Sequence, residues 1–195
     1  MKRVLSSMLL ASGMAVAAVA TAAPLPGVRG IDHVGVTVPD IKQATEFFHD
    51  VMGCNEAFRF GPIMDDKGTL MQDLVNVNPR AKIEQIVMMR CGQGSNIELF
   101  KYESPDQKTE EPKNSDVGGH HIAFYVKDLA AAVAKAKEMG VKTLMGPFPI
   151  TDGPAAGQAI TYVLTPWGMQ LELISYPKGM AYEKTSKVKL WAPAR

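Results

Sequence analysis

The chain repeats itself, and this limits what it can fold into more than any other feature. Ile31 to Ile41 lines up without a gap on Gly119 to Leu129, which places His33 on His121. Further along, Gln85 to Phe100 lines up on Ala159 to Ile174, again without a gap, and Glu98 falls on Glu172. Similarity at this separation means two copies of one supersecondary unit. The 195 residues suit one domain, or two small modules sharing a core.

Each copy opens on a β-branched run of strand length, HVGVTV in the first and HIAFYV in the second. Asp40 and Asp128 follow as helix caps. Behind them the apolar positions Ile41, Ala44, Phe48, Val51 and Met52, and Leu129, Ala132, Val133, Ala136 and Met139, keep helical spacing, and Gly53 and Gly140 end the helices. Two short strands per copy come later, joined by the turns Gly92-Gln93-Gly94-Ser95 and Pro166-Trp167-Gly168. A further strand is expected around Phe58 to Phe60 and around Val141 to Leu144, giving βαβββ twice in an α+β fold. The modules therefore span residues 31–105 and 118–177, with a polar, proline-bearing linker between them and a basic extension at 178–195. An insertion at about 64–79 sets the first module apart. Its Leu70, Met71, Leu74 and Val75 predict a short extra helix over one side of the sheet, of the kind that shapes a binding mouth.

Residues 1–22 read as a secretory signal: a basic start at Lys2 and Arg3, an apolar Ala-rich run from Val4 to Ala20, and small residues up to Ala22. The expected compartment is the bacterial periplasm or the cell exterior, with no membrane association once the signal is removed. The net charge of +1 provides no basic footprint for nucleic acid. Two cysteines exclude a disulfide framework and a zinc-type cysteine cluster, and whether Cys54 and Cys91 meet is left open.

Side chains alternate along a strand, so His33 shares a face with Gly35 and Thr37, and His121 shares one with Ala123 and Tyr125. Glu98 and Glu172 each stand between apolar neighbours, where a carboxylate is costly unless something pairs it. Two of the four histidines and two strand glutamates thus occupy matched positions. If the modules pack about a pseudo-two-fold axis, the four converge in one cavity and hold a divalent cation. His120 is expected on the opposite face and His49 toward solvent.

The segment from Ile31 to Pro177 resembles the vicinal oxygen chelate superfamily, the group of glyoxalase I, methylmalonyl-CoA epimerase, extradiol dioxygenases and bleomycin-resistance proteins. The motifs that carry the resemblance are DHVGVTVPD, NIELFKY, GHHIAFYVKD and QLELISYP, containing His33, Glu98, His121 and Glu172. The resemblance implies paired βαβββ modules whose mixed sheets curl around a central metal cavity. It implies one divalent ion, Zn, Ni, Co, Mn, Fe or Mg, on those four residues. It leaves open whether two modules of one chain close the cavity or a homodimer does.

Such a metal acts as a Lewis acid, and a carboxylate beside it can take a proton from the carbon next to a carbonyl. The expected activity is therefore metal-assisted proton transfer on a small oxygenated substrate, as an isomerase, an epimerase or a glyoxalase-like lyase. Glu172 is the preferred base and Glu98 the second candidate. A ferrous extradiol dioxygenase would use two histidines and one carboxylate, so the fourth filled position weighs against it. A sequestering protein of the same superfamily is the third reading. Arg90, Tyr102, Tyr125, Tyr162 and Trp167 are expected to contact the substrate, with Arg90 placed to hold an anionic group.

Overall fold

A computed structural model describes residues 25–194. The leader reading for residues 1–22 lies outside them. The chain divides into two units, residues 1–30 and Ile31–Arg195, and of the first the described stretch 25–30 is an exposed turn.

In the second unit the first module runs β1 (His33–Thr37), α1 (Ile41–Asp50), β2 (Asn55–Phe60), β3 (Ile63–Met64), α2 (Leu70–Val75), β4 (Lys82–Arg90) and β5 (Asn96–Glu103). The second runs β6 (Ile122–Tyr125), α3 (Leu129–Glu138), β7 (Lys142–Thr143), β8 (Phe148–Pro149), β9 (Ala159–Leu164) and β10 (Gln170–Ser175). Each module builds one five-stranded mixed sheet, in the orders β1-β5-β4-β2 with β3 beside β4, and β6-β10-β9-β7 with β8 beside β9. The single parallel pair in each sheet is the first strand with the last.

The helix starts follow from side-chain chemistry. The Asp40 carboxylate accepts from the Gln43 backbone N–H at 2.9 Å, and that of Asp128 from Ala131 at 3.0 Å, so each satisfies a donor that the helix itself leaves unpaired. Asp40→Ala should cost about 1 kcal/mol of stability, read as a lowered midpoint in urea unfolding.

A single expected strand becomes two in both modules. Gly61-Pro62 separates β2 from β3 and Gly146-Pro147 separates β7 from β8, because proline has no N–H to give to the ladder. Both glycines hold positive φ, and a Cβ would meet Glu84 O at 2.7 Å at position 61 and Thr161 Oγ1 at 2.0 Å at position 146.

One face of each sheet carries the helices. Val36, Val38, Val87, Met89, Ile97 and Leu99 pack with Ala44, Phe47 and Phe48 of α1, while Val163, Leu171 and Leu173 pack with Leu129 and Val133 of α3. The two sets are one continuous core. Phe48 joins them, with ring centroids 6.4 Å from Phe124 and 6.2 Å from Trp167. The inserted α2 forms as the spacing predicts. Its fully buried Met71 packs with Ile83 and Ile86 against Phe100 and Tyr102, so it roofs one end of the opposite face of the first sheet.

The tail crosses back to the first module. Ala194 N–H donates to Gln93 Oε1 at 3.1 Å, and Trp191 approaches Gly94 while remaining 67% exposed.

Candidate functional site

The ladder register fixes which side chains share the helix-free face. Gly35, Glu98, Met88 and Phe58 form one row across the first sheet, and Thr37, Phe100, Ile86 and Phe60 form the next. In the second sheet Ala123, Glu172 and Tyr162 form the matching row, extended by Leu144, whose N–H donates to Tyr162 O at 2.8 Å. Tyr125, Ile174, Ile160 and Phe148 form the next. The two modules thus present corresponding faces with Glu98 and Glu172 at the same place.

Each glutamate meets its own module's histidine. His33 Nε2 lies 3.2 Å from Glu98 Oε2, and His121 Nε2 lies 3.0 Å from Glu172 Oε2. The glutamates are the deeper partners, with side chains 16% and 10% exposed against 40% and 35% for the histidines. Asp32 Oδ1 sits 2.8 Å from His33 Nδ1, and this hydrogen bond, assisted by the charges of Glu98 and Asp32, raises the His33 pKa against the lowering effect of burial. Asn114 can donate to His121 Nδ1 at 3.3 Å, which leaves Nε2 to carry the proton toward Glu172. Asp32 therefore orients His33 as an outer partner does for a metal-binding histidine, accepting from its Nδ1 and freeing Nε2, whereas Asn114 orients His121 by donating to its Nδ1. Sequence reasoning missed both. Asp32 was legible as the residue before a strand histidine; Asn114 lies in the linker, where nothing marks it.

The expected convergence of all four residues does not occur within one chain. Among the described residues no group of three or more His, Cys, Asp or Glu side chains is placed to hold a metal. The physical reason is the shared core: α1 ties the helix faces of the two sheets together through Phe48, so the faces with His33–Glu98 and His121–Glu172 are separate surfaces. Each surface carries one His–Glu pair. Two imidazole nitrogens and two carboxylates are a donor set that divalent first-row ions accept. In each pair the donor atoms already point at one another, so the residues fit such an ion.

The other expected site residues divide. Tyr162 stands beside the second pair, its ring edge-on to His121 at 5.3 Å between centroids, and burial together with the Glu172 charge pushes its phenol pKa up. Tyr102 lies on the Glu98 face, stacked on Phe100 at 5.5 Å beneath α2, its pKa raised by burial and then by Glu98. Arg90 lies at the rim near the His33 end, where its guanidinium donates to Gly94 O at 2.7 Å and reaches Asn96 Oδ1 at 3.4 Å. Tyr125 packs edge-on to Tyr176 at 4.9 Å, and its buried hydroxyl has no hydrogen-bond partner among the described residues. It lines a cavity of about 740 Å³ that Trp191 also walls and that none of the four ligand-type residues enters. Trp167, in the turn before β10, folds its indole onto Phe47 and Phe48 in the core. His49 is exposed as expected and pairs with Asp50. His120 lies beside Gly118 O at 3.1 Å and takes no part in either pair.

Two modules, each a five-stranded mixed sheet with a histidine at the start of its first strand set against a last-strand glutamate, define a glyoxalase-type protein. The profile of the Glyoxalase/Bleomycin resistance protein/Dioxygenase superfamily matches residues 32–162, and the chain belongs to that superfamily. A relative named 2-epi-5-epi-valiolone epimerase, from Actinomyces sp., is 44% identical over 170 residues, covering 87% of this chain and 91% of its own. An ethylmalonyl-CoA/methylmalonyl-CoA epimerase of Cereibacter sphaeroides is 28% identical over 58% of this chain and 73% of its own. Among solved structures, a glyoxalase family protein of Bacillus cereus superposes with a TM-score of 0.62 at 18% identity, covering 79% of this chain and 98% of that one. The trypanothione-dependent glyoxalase I of Leishmania major does so at 0.52 and 18%, covering 80% and 92%. These two likenesses concern the fold.

Proposed function

We propose that this protein is an exported, metal-dependent epimerase that inverts a C–H centre next to a carbonyl in a small oxygenated substrate. The observation that carries the reading is the His–Glu pair repeated in both modules, in a chain 44% identical to a protein named as an epimerase. Four ligand-type residues suit this chemistry better than the three-ligand iron site of a dioxygenase. Export is supported by the leader-like sequence at residues 1–22 and by the Cys54–Cys91 disulfide, a bond that persists in oxidising compartments.

A C–H bond becomes acidic enough for a carboxylate only when the electron pair can pass to an adjacent carbonyl oxygen. A divalent ion shared between the His33–Glu98 face of one copy and the His121–Glu172 face of a second copy in a homodimer would supply the Lewis acidity that stabilises that developing negative charge. The chain's own groups do the rest. Glu172 Oε takes the proton from one side of the carbon, and the acid form of the second carboxylate, Glu98, returns a proton to the other side. Asp32 and Asn114 keep the imidazoles oriented, and α2 shields the Glu98 face from water at one end.

The first substrate to test is 2-epi-5-epi-valiolone, the compound in the relative's name. Incubated with the protein in deuterium oxide, it should lose one carbon-bound proton signal and yield a second epimer carrying deuterium at that carbon. Inversion with complete retention of the original hydrogen would contradict proton exchange with a carboxylate.

A further inference from the structure

We propose that the chain holds a second ligand site, outside the two His–Glu pairs, for an uncharged and mainly apolar small molecule that carries a hydroxyl group. The site is the cavity of about 740 Å³ between β6, the β4–β5 turn and the C-terminal extension. That volume falls within the roughly 300–1,000 Å³ of sites that enclose small organic ligands. Its walls are mainly apolar, with Val34, Ile97, Phe124 and Ile174 on the strands and Leu190 and Trp191 on the extension. Among the described residues no charged side chain lines it. An ion brought there would give up its hydration without meeting a counter-charge, so the walls select a neutral occupant.

Inside this lining, hydrogen-bonding groups are left unused around Tyr125. Its hydroxyl is buried without a hydrogen-bond partner among the described residues, and a hydroxyl in that state costs the fold free energy that a ligand's polar group would return. β6 stands at the edge of the second sheet and pairs with β10 in parallel. Val126 N–H donates to Ile174 O at 2.9 Å, so alternation along the strand turns the N–H and C=O of Ala123 and Tyr125 away from β10, toward the open edge. Both residues line the cavity. A phenol and a strand edge offer donors and acceptors together, and a ligand hydroxyl, itself donor and acceptor, matches them.

The extension is a strap fixed at both ends. Ala181 N–H donates to Ala156 O at 2.9 Å and Tyr182 N–H to Pro154 O at 2.8 Å, while Ala194 N–H reaches Gln93 Oε1 at the far end. Between these anchors Leu190 and Trp191 wall the cavity yet remain 63% and 67% exposed. An apolar molecule beneath the strap covers both, so filling the cavity buries surface on ligand and strap at once. His33, Glu98, His121 and Glu172 lie outside the lining, which sets this site apart from the His–Glu pairs.

The test titrates octan-1-ol into the full chain by calorimetry, beside octanoate, which has the same apolar body and a charge. The alcohol should saturate at one molecule per chain, and octanoate should bind more than about tenfold more weakly. Trp167→Phe leaves Trp191 as the sole tryptophan, and its emission should shift to the blue as the alcohol covers it. Tyr125→Phe should weaken the alcohol about 2–10-fold, the worth of one hydrogen bond, while its urea midpoint matches or exceeds the parent's because an unpartnered hydroxyl is gone. That midpoint separates loss of a contact from loss of the fold. His121→Ala and added Zn²⁺ should leave alcohol binding unchanged. Absence of saturable binding, octanoate as tight as the alcohol, a Trp191 emission that stays in place at saturation, or unaltered affinity in Tyr125→Phe would overturn the proposal. Loss of the alcohol in His121→Ala, or its displacement by Zn²⁺, would overturn it too by moving the ligand to the His–Glu pairs.

Discussion

Glu172→Gln folds as the parent does and loses epimerisation by about 10²–10⁴-fold, the range that a positioned acid–base group contributes. The substitution preserves shape and leaves an amide oxygen that can still accept from His121 Nε2, which lies 3.0 Å from the carboxylate in the parent. Position 172 is buried between Leu171 and Leu173, both also buried, and a neutral amide is easier to keep there than a charge. Unfolding midpoints should therefore match or rise. If Glu172 and Glu98 serve opposite sides of the reacting carbon, the variant also gives a pattern that a generally damaged site would not. Deuterium exchange into one epimer continues through Glu98 while inversion stops, and Glu98→Gln shows the reverse. Full turnover by Glu172→Gln would remove this residue from the mechanism.

The other large effect concerns the disulfide. The register that sets Asn55 opposite Arg90 also brings Cys54 opposite Cys91, where the two sulfurs bond across a sequence separation of 37 residues. Closing a loop of that length removes enough freedom from the unfolded chain to be worth about 4 kcal/mol. That is a large share of the roughly 5–15 kcal/mol by which domains are stable. Cys54 is fully buried at the exit of α1, and Cys91 begins the hairpin turn, so the bond ties the helix to the β4–β5 hairpin. Cys54→Ala combined with Cys91→Ala, or reduction of the parent, should lower the urea midpoint by an amount equivalent to that loss. An unchanged midpoint would show that the buried contacts suffice. A chain that depends on this bond is better suited to the periplasm than to a reducing cytosol.

The fold was readable because local and repeat signals agree. HVGVTVPD and HIAFYVKD each state a strand, a cap and a helix, and Asp40 and Asp128 cap the helices they were expected to start. The extra strand in each module was visible in principle. Phe60-Gly61-Pro62-Ile63 and Met145-Gly146-Pro147-Phe148 are another matched pair, and a Gly-Pro inside a strand pattern is a break signal.

The site was readable only in halves. Alternation within a strand brings His33 to Glu98 and His121 to Glu172 once the parallel pairing of first and last strands is known. Which faces of the two sheets then meet depends on long-range packing of Phe48 against Phe124 and Trp167, and no periodicity encodes that. The same packing sets Trp167 against Phe47 and Phe48, a contact that its place in a turn does not announce. Pairing of Cys54 with Cys91 likewise depends on the β2–β4 register, which two isolated cysteines cannot reveal.

The proposed chemistry depends on His33, Glu98, His121 and Glu172 holding a divalent ion. Elemental analysis of protein purified without chelators, beside the His33→Ala, His121→Ala double variant, tests it most directly. One ion per chain is expected in the parent and none in the variant. No ion in the parent, even after each candidate metal is added back, or equal retention by both proteins, would contradict it.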